Sequence, residues 1–294
     1  MEWIDAKTIL SGYSKSNPWF GCHYNMNLYK GCSHGCIYCD SRSECYHIDN
    51  FDTVKAKKDA INILERELRG KRRTGVIGLG AMSDPYNPFE KDLKLTRKAL
   101  EKIAKYGFGV AIATKSNLIL RDMDILLEIK KRAPVLIKIT ITTADDELSK
   151  KIEPRVNCSS SRFEVINEMS EIGIFSGILM MPVIPFLEDN ENNILKIIKK
   201  ANESGAKFIY PSFGMTLRQN QRVYFLKEIE KIFPGMCQKY IDQFRTNYNC
   251  KSPKATELFD IFKKECEIHG ILYRMKDIVE RYQSDYGEKQ LSFL

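Results

Sequence analysis

The chain has 294 residues, of which 43% are hydrophobic and 29% are charged, which is typical of a globular protein with a large core. It has no uninterrupted apolar run near ~18 residues, and its N-terminus lacks the basic region and apolar core of a secretory signal, so we expect a cytoplasmic protein with no membrane partner. The net charge of +8 favours polyanionic partners, although the lysine-rich stretches are also typical of solvated helix faces.

After an N-terminal extension over residues 1–20, short apolar strands alternate with amphipathic helices. The strands are predicted at residues 27–29, 76–80, 109–114, 135–142, 177–183 and 207–210. Helices with one apolar stripe lie between them, with stop signals at Gly70, Pro134 and Gly205, and two later helices are predicted at 218–233 and 256–269. Continuous apolar runs of this length favour parallel strands that are covered on both faces.

Six strands that each lead into a helix predict a parallel sheet, because a crossover connection returns the chain in the same direction. We therefore predict an α/β fold, a partial (βα)6 barrel with a parallel sheet, followed by a C-terminal helical appendage; a flat doubly wound sheet is the alternative to the barrel. The predicted domains are the extension 1–20, the barrel 21–217, and C-terminal helices and tail over 218–294. In barrels the chemistry lies at the carboxyl ends of the strands.

Three cysteines stand in one short loop after the first predicted strand, in the sequence GCSHGCIYC. Cys32, Cys36 and Cys39 have a spacing that suits three corners of a cubane iron–sulfur cluster, whose full ligation takes four protein ligands. If Cys45, six residues further on, does not ligate, one iron stays open to an exogenous ligand. A zinc site with a histidine as fourth ligand is the alternative, because His34 lies inside the loop and His23 and His47 flank it.

The chain has nine cysteines, an odd number that argues against a disulfide framework and for reduced thiols. The cysteines that do not fall at cluster-like spacings are Cys22, Cys158, Cys237, Cys250 and Cys266. A second cluster on the last three is one interpretation, and buried small hydrophobic residues are the other.

The cysteine spacing resembles the signature of the radical S-adenosylmethionine superfamily, and within it the chain is most similar to the spore photoproduct lyase-like group. The stretches that carry the resemblance run from Asn27 to Cys39 (NLYKGCSHGCIYC), Gly80 to Pro85 (GAMSDP), Thr114 to Asp122 (TKSNLILRD), Ile178 to Pro185 (ILMMPVIP) and Phe208 to Leu217 (FIYPSFGMTL). The resemblance implies a partial barrel, a 4Fe-4S cluster, and S-adenosyl-L-methionine bound at the open iron. It also implies that an electron from the cluster breaks the sulfonium bond to give a 5′-deoxyadenosyl radical, which abstracts hydrogen from a substrate.

The resemblance implies roles for individual residues. Cys32, Cys36 and Cys39 would be the cluster ligands. Tyr38 would lie against the adenine, with ordinary packing as its alternative. Ser83 and Asp84 would meet the methionine amino group. Lys115 would meet the methionine carboxylate, with a loop salt bridge as its alternative, and Thr142 would hydrogen-bond the ribose or have a structural role only.

One position departs from the group. Spore photoproduct lyase returns a hydrogen atom to its product from a cysteine that corresponds to Ala81 in this chain, and alanine has no hydrogen to give. Thymine-dimer reversal by that route is therefore in doubt. Cys45, Cys158 or Tyr46 are candidate substitutes, but unrelated roles are the more ordinary interpretation of all three.

The end of the chain, Gln290, Leu291, Ser292, Phe293 and Leu294, resembles the short peptide by which bacterial polymerases and repair proteins dock on the DNA sliding clamp. Apolar residues in an otherwise polar tail need a partner, which is either the clamp or the core of the chain itself. The expected partners are therefore an electron donor such as flavodoxin or ferredoxin, DNA, and the sliding clamp.

The sequence thus predicts a radical S-adenosylmethionine enzyme that acts on nucleic acid, in DNA repair or modification. One alternative is radical modification of a peptide, protein or small metabolite. The other is a non-enzymatic nucleic-acid module that binds a cluster or zinc.

Overall fold

The computed structural model describes residues 1–13 and 19–286. The strands of this part of the chain are β1 (Glu2–Ile4), β2 (Leu10–Gly12), β3 (Tyr24–Met26), β4 (Tyr29–Lys30), β5 (Lys55–Lys57), β6 (Val76–Leu79), β7 (Gly109–Thr114), β8 (Val135–Thr140), β9 (Phe175–Met180), β10 (Ile209–Pro211), β11 (Gly214–Thr216) and β12 (Asn249–Lys251).

The helices include the three predicted apolar stripes and the two predicted later helices, because each stripe needs a sheet or another helix to cover it. They are α1 (Ala60–Arg69), α2 (Glu90–Leu93), α3 (Leu95–Lys105), α4 (Met123–Lys130), α5 (Asp146–Ile152), α6 (Ser159–Glu171), α7 (Glu191–Glu203), α8 (Gln219–Ile232), α9 (Met236–Phe244), α10 (Ala255–His269) and α11 (Met275–Gln283). None of the helices in the described ranges is long and apolar enough to cross a membrane.

The central sheet confirms the predicted fold class. Strands β3, β6, β7, β8, β9 and β10 lie side by side in chain order, and each is parallel to its neighbour. Strand order that follows chain order is the arrangement of a βα barrel, because every crossover turns the same way around the sheet. The barrel is partial, and β2 pairs antiparallel with β3 at one edge.

The first barrel strand is not where the sequence predicted it. Tyr24–Met26 pairs with β6, whereas Tyr29 of the predicted strand 27–29 pairs with Ala56 in a separate three-stranded sheet. The strand was missed because its polar asparagine interrupts the apolar run on which the prediction relied. Part of the predicted extension 1–20 joins the sheet as β2, and the domain boundaries themselves stay a prediction.

Alternating side chains along each strand face two different apolar cores, one on each side of the sheet. On β8, Ile137 and Ile139 face the large core under the helices, whereas Leu136 faces the inside of the barrel. The amino-terminal end of the barrel is filled by Phe20, Phe208 and the side chains of α11. The carboxyl ends of the strands stay open, and this is where the cysteine loop lies.

The C-terminal part of the chain packs on that loop. Ile37 and Tyr38 belong to the same apolar cluster as Phe225, Tyr240 and Phe244 of α8 and α9. The β11–β12 pair adds a small antiparallel sheet beside them. The predicted helical appendage is therefore confirmed, and it closes one side of the open barrel end.

Candidate functional site

A large cavity of about 860 Å³ occupies the open end of the barrel. Its walls combine the cysteine loop, the ends of β6, β7 and β8, the segment after β9, and residues of the C-terminal part. Of the site residues predicted from sequence, the cavity is lined by Cys32, Cys36, Cys39, Tyr38, Ser83, Asp84 and Lys115. The structure thus brings together residues that are more than 80 positions apart in the chain.

The cysteine loop is held by backbone hydrogen bonds to two distant segments. The Cys32 N–H donates to the Phe51 carbonyl (2.8 Å), and the Ile37 N–H donates to the Ile152 carbonyl (3.0 Å). Gly31 just before the loop has φ of 77°, and a Cβ there would lie 2.5 Å from the Thr53 carbonyl oxygen. Glycine is therefore required at this position for the chain to turn and present the thiols to the cavity.

The three thiols fit the ligation of an iron–sulfur cluster. Cys32 and Cys36 are buried and Cys39 is half-buried, and burial raises the pKa of all three, that of Cys32 to about 12. A thiol with a raised pKa holds its proton until a metal displaces it. These side chains would therefore release protons when iron binds.

The same wall offers no fourth cysteine within the described ranges. Cys45 is exposed outside the cavity, where its sulfur accepts a hydrogen bond from Arg218 (3.0 Å). In residues 1–13 and 19–286 no three His, Cys, Asp or Glu side chains are close enough together to hold a single metal ion. A cubane suits this arrangement better than one zinc ion, because each thiolate then binds a different iron.

Ser83 and Asp84 are placed by a sharp turn after β6. Gly80 at that turn has φ of 88°, and a Cβ there would overlap the Ala113 carbonyl oxygen. Ser83 is buried and its hydroxyl donates to the Tyr29 carbonyl (3.2 Å). Asp84 accepts hydrogen bonds from the Thr114 hydroxyl (2.7 Å) and the Lys115 N–H (2.9 Å), so its carboxylate joins the ends of β6 and β7.

Lys115 reaches into the cavity beside the cysteine loop. Its Nζ lies 4.0 Å from a Glu153 oxygen and 5.7 Å from the centre of the Tyr38 ring. Burial by itself would lower the pKa of Lys115, but the neighbouring Cys36 and Glu153 raise it above its ordinary value. The ammonium therefore stays charged and available to an anionic group in the cavity.

Beneath the cavity lies a buried ion pair that sequence reasoning missed. The Glu153 carboxylate accepts hydrogen bonds from the Tyr38 hydroxyl and from Arg162. Arg162 also donates to the Thr140 carbonyl and to the Ser149 hydroxyl, each at 2.7 Å. Although burial disfavours its charge, Arg162 and Lys115 hold the pKa of Glu153 below its usual value. The network fixes the position of the Tyr38 ring. No residue spacing in the sequence predicts this network.

The structure does not bring Thr142 to the cavity. Its buried hydroxyl donates to the Glu188 carboxylate (2.6 Å), which also accepts from the Ile184 N–H (2.8 Å). Thr140 lines the cavity in its place. The reason is that β8 ends at Thr140, so the alternation that would have put both threonines on one face stops before position 142.

The candidate hydrogen donors from the sequence also lie elsewhere. Ala81 lines the large cavity, whereas Cys45, Cys158 and Tyr46 do not. The Cys158 sulfur contacts the Ser160 hydroxyl at 3.2 Å near the start of α6, and the Tyr46 hydroxyl donates to Asp40 (2.8 Å). None of the three substitutes is therefore in position to face a ligand in this cavity.

The outer rim of the cavity comes from Phe213 and from the C-terminal part, which sequence reasoning did not connect with the site. The rim residues are Phe213, Asn249, Lys251, Thr256 and Phe259. Phe259 keeps 39% of its surface exposed, although it packs edge-on against Phe213 with ring centres 6.5 Å apart. An exposed aromatic face beside a lysine is a surface that suits a flat, anionic ligand.

Comparison with known proteins agrees with the site. The Radical SAM superfamily matches residues 26–201, more than half of the chain. The chain therefore belongs to the radical S-adenosylmethionine superfamily, whose members are enzymes, and its cofactors are a 4Fe-4S cluster and S-adenosylmethionine. Enzymes of this superfamily need an electron donor, such as flavodoxin or ferredoxin.

The relatives and the similar structures lie at moderate to low identity. An uncharacterized protein of Methanocaldococcus jannaschii is 35% identical over 58% of this chain and 64% of its own. An uncharacterized protein of Mycobacterium tuberculosis is 28% identical over 76% of this chain and 67% of its own. Spore photoproduct lyase, in complex with a dinucleoside spore photoproduct, superposes with a TM-score of 0.65 at 13% identity, over 92% of this chain and 80% of its own. A radical S-adenosylmethionine methyltransferase of Kitasatospora setae superposes with a TM-score of 0.57 at 9% identity, over 89% and 61%.

These similarities agree with the predicted membership of the spore photoproduct lyase-like group. At such low identity the likeness to the two solved structures establishes the fold alone.

Proposed function

We propose that this enzyme abstracts hydrogen from a substrate in nucleic acid, in DNA repair or modification. The observation that carries the proposal is the composition of the cavity rim, where Phe259 and Lys251 stand beyond the residues predicted to hold the cofactors. The likeness in fold to a lyase bound to a dinucleoside photoproduct supports it. So does the net charge of +8, because cationic surfaces attract the phosphate backbone.

The inner part of the cavity would hold the cofactors. Cys32, Cys36 and Cys39 would ligate the cluster, which supplies, together with S-adenosylmethionine, a carbon radical able to abstract hydrogen. The Lys115 ammonium would bind the carboxylate of the methionine moiety as a point charge.

The remaining inner residues would orient the nucleoside and the amino group. Tyr38, with its ring fixed through Glu153, would pack against the adenine. Ser83 and Asp84 would face the amino group of the methionine moiety. Thr140 replaces Thr142 as the proposed ribose contact, because it is the threonine that lines the cavity.

The outer rim would hold the substrate. The exposed face of Phe259 would stack on one unpaired base, an interaction worth about 1–3 kcal/mol per base. Lys251, which is exposed, would contact a neighbouring phosphate. Because the atoms of a base stacked in a duplex are not accessible to an enclosed site, the target base would have to leave the stack to reach the inner cavity.

The first test measures 5′-deoxyadenosine release. The full chain is assembled with iron and sulfide without oxygen, reduced with dithionite, and given S-adenosylmethionine with ultraviolet-damaged DNA, undamaged DNA or no DNA. We expect DNA to accelerate release. Equal release in all three reactions contradicts a nucleic-acid substrate, and no release in any of them favours the non-enzymatic module.

A second test distinguishes DNA binding at the rim from general electrostatic attraction between the protein and DNA. Phe259→Ala should weaken binding of single-stranded DNA by about fivefold to 150-fold, from the stacking energy above. Ile268→Ala is the matched control, since it removes an exposed apolar side chain (65% exposed) from the same helix away from the cavity. Equal affinity of the two variants removes Phe259 from the proposal.

We further propose that the segment 290–294 docks on the sliding clamp. This segment lies outside the described residues, so the proposal depends on the sequence resemblance alone. Fluorescence titration of the clamp with the full chain and with a chain lacking Gln290–Leu294 tests it. Equal affinity of the two chains contradicts the docking.

A further inference from the structure

Lys138 is a buried cation in the middle of the barrel. It lies on β8 between Leu136 and Thr140, so its side chain points to the barrel interior, roughly 6–7 Å along the strand from the threonine that lines the large cavity. Only 2% of Lys138 is exposed. A lysine at such a position needs an explanation, because burying an ammonium without a counter-ion is costly.

Lys138 lines a second cavity of about 160 Å³. Besides Lys138, the lining residues whose side chains carry a polar group are Tyr13, Trp19, Cys22 and Asn25. Trp19 and Leu179 add apolar walls. Gly80, Ala81 and Ala113 line both this cavity and the large one, so the small cavity opens towards the site of the chemistry.

Two polar groups of the small cavity have no partner among the described residues. Lys138 makes no hydrogen bond and no salt bridge with those residues. Its Nζ makes a cation–π contact with the Phe20 ring, 4.6 Å from the ring centre. The Asn25 Oδ1 is buried without a hydrogen bond. Buried polar groups are normally satisfied, so two unpaired polar side chains on residues that line one cavity point to a polar ligand there.

We propose that the small cavity binds the carboxylate of a monoanionic organic ligand between Lys138 and Asn25. The carboxylate would accept from the ammonium and, with the Asn25 amide turned over, from its NH₂ group. A single cation balances a single negative charge, which favours a carboxylate over a phosphate dianion. The apolar walls would take the first carbons of the chain.

The electrostatics of the cavity lining agree with this assignment. Burial lowers the pKa of Lys138 to about 8, and the titratable side chains that share the cavity, Cys22 and Tyr13, have their own pKa values raised by burial. Around neutral pH these two side chains therefore carry no negative charge that could pair with the amine. A bound carboxylate would supply that charge and raise the pKa of Lys138.

The inference goes beyond the proposed function, because the ligand of this cavity need not be nucleic acid. Two sources of the carboxylate are distinguishable. A free short acid would fill the small cavity alone, whereas the acidic arm of a larger molecule would pass Gly80 and Ala113 into the large cavity. A series from acetate to hexanoate separates them, since affinity keeps rising beyond the first carbons only if the chain continues into the large cavity.

Isothermal titration of the full chain with acetate, without S-adenosylmethionine or reductant, tests the site. We expect saturable binding at pH 7 that weakens at least tenfold in Lys138→Met and severalfold in Asn25→Leu. Lys199→Met, which removes a surface lysine with 76% of its side chain exposed, should bind as the parent chain does. Acetamide, which is similar in shape and neutral, should not compete.

A second readout measures the uptake of a proton when acetate binds. At pH 9 Lys138 is mostly neutral, so acetate binding should take up a proton, seen as a dependence of the binding heat on the ionisation enthalpy of the buffer. Lys138→Met should show no uptake. Absence of acetate binding to the folded parent chain, equal binding to Lys138→Met, or equal binding of acetamide overturns the proposal and leaves a water-filled cavity. Because no turnover is measured, any of these results leaves the proposed function untouched.

Discussion

The backbone N–H of Lys115 donates a hydrogen bond of 2.9 Å to the carboxylate of Asp84. The bond joins the ends of two neighbouring parallel strands. It fixes the position of the Lys115 backbone, and therefore the point from which its side chain extends. Its ammonium then stands beside the cysteine loop, 4.0 Å from Glu153. Two residues that are 31 positions apart thus form one rigid corner of the cavity.

Lys115→Met should weaken S-adenosylmethionine binding and leave the cluster in place. Losing one charge-assisted hydrogen bond costs about 1.5–3 kcal/mol, or roughly 10- to 150-fold in affinity. Equilibrium dialysis with the assembled protein measures the affinity, and iron analysis checks the cluster. Lys150→Met, on an exposed face of α5, is the control. Unchanged affinity would mean that Lys115 has only the structural salt bridge with Glu153.

Cys36→Ala should abolish both stable cluster binding and 5′-deoxyadenosine formation, because a cubane held by two cysteines has lost a third of its protein ligands. Cys45→Ala should retain both, since this thiol is exposed outside the cavity. Iron and sulfide analysis and the absorbance of the reconstituted protein measure the outcome. Loss of the cluster in Cys45→Ala would show a fourth cysteine ligand and contradict the open iron.

Two neighbouring threonines should respond differently to the same substitution. Thr140→Val removes a hydroxyl from the cavity and should weaken S-adenosylmethionine binding by about threefold to tenfold, with little change in the free energy of unfolding. Thr142→Val should leave the affinity unchanged but lower the free energy of unfolding by about 1–3 kcal/mol, because Glu188 loses its buried donor. Dialysis and urea unfolding measure the two quantities. The reverse pattern would restore Thr142 as the ribose contact.

The stability of the protein should fall as the pH rises through the range set by Glu188. Burial raises the pKa of Glu188 from 4.5 to about 8, so between these values the folded state holds a proton that the unfolded chain has lost. The free energy of unfolding therefore decreases with pH over this window, by at most about 1.4 kcal/mol per pH unit for one proton.

Glu188→Gln isolates that contribution. The glutamine keeps an oxygen that can accept from Thr142 or Ile184, and it carries no titrating proton. Urea unfolding of both proteins at pH 5, 6.5 and 8 should give a difference that shifts in favour of the variant as the pH rises. A difference that is constant across the three pH values would show that Glu188 is ionised in the folded protein.

Much of the fold was predictable because it depends on local patterns. Helices α1, α4 and α7 end close to the predicted stop signals, and β7 spans the predicted residues 109–114. The first barrel strand was placed wrongly, since Asn25 breaks the apolar run. Its strand character depends on pairing with Gly78 of β6, which is a contact between segments far apart in sequence.

The sequence by itself determined the chemistry, because the cysteine spacing, the parallel βα alternation and the polar strand ends are all local in the chain. Only the tertiary structure decided which polar side chains meet. Because β8 ends at Thr140, this threonine lines the cavity and Thr142 does not. The packing of α6 places Arg162 beside Glu153. The alternation of side chains along β8 directs Lys138 into the barrel. Each of these outcomes depends on burial and on partners that are distant in the chain. The local sequence around a charged or hydroxyl side chain does not show which residue it will contact after folding.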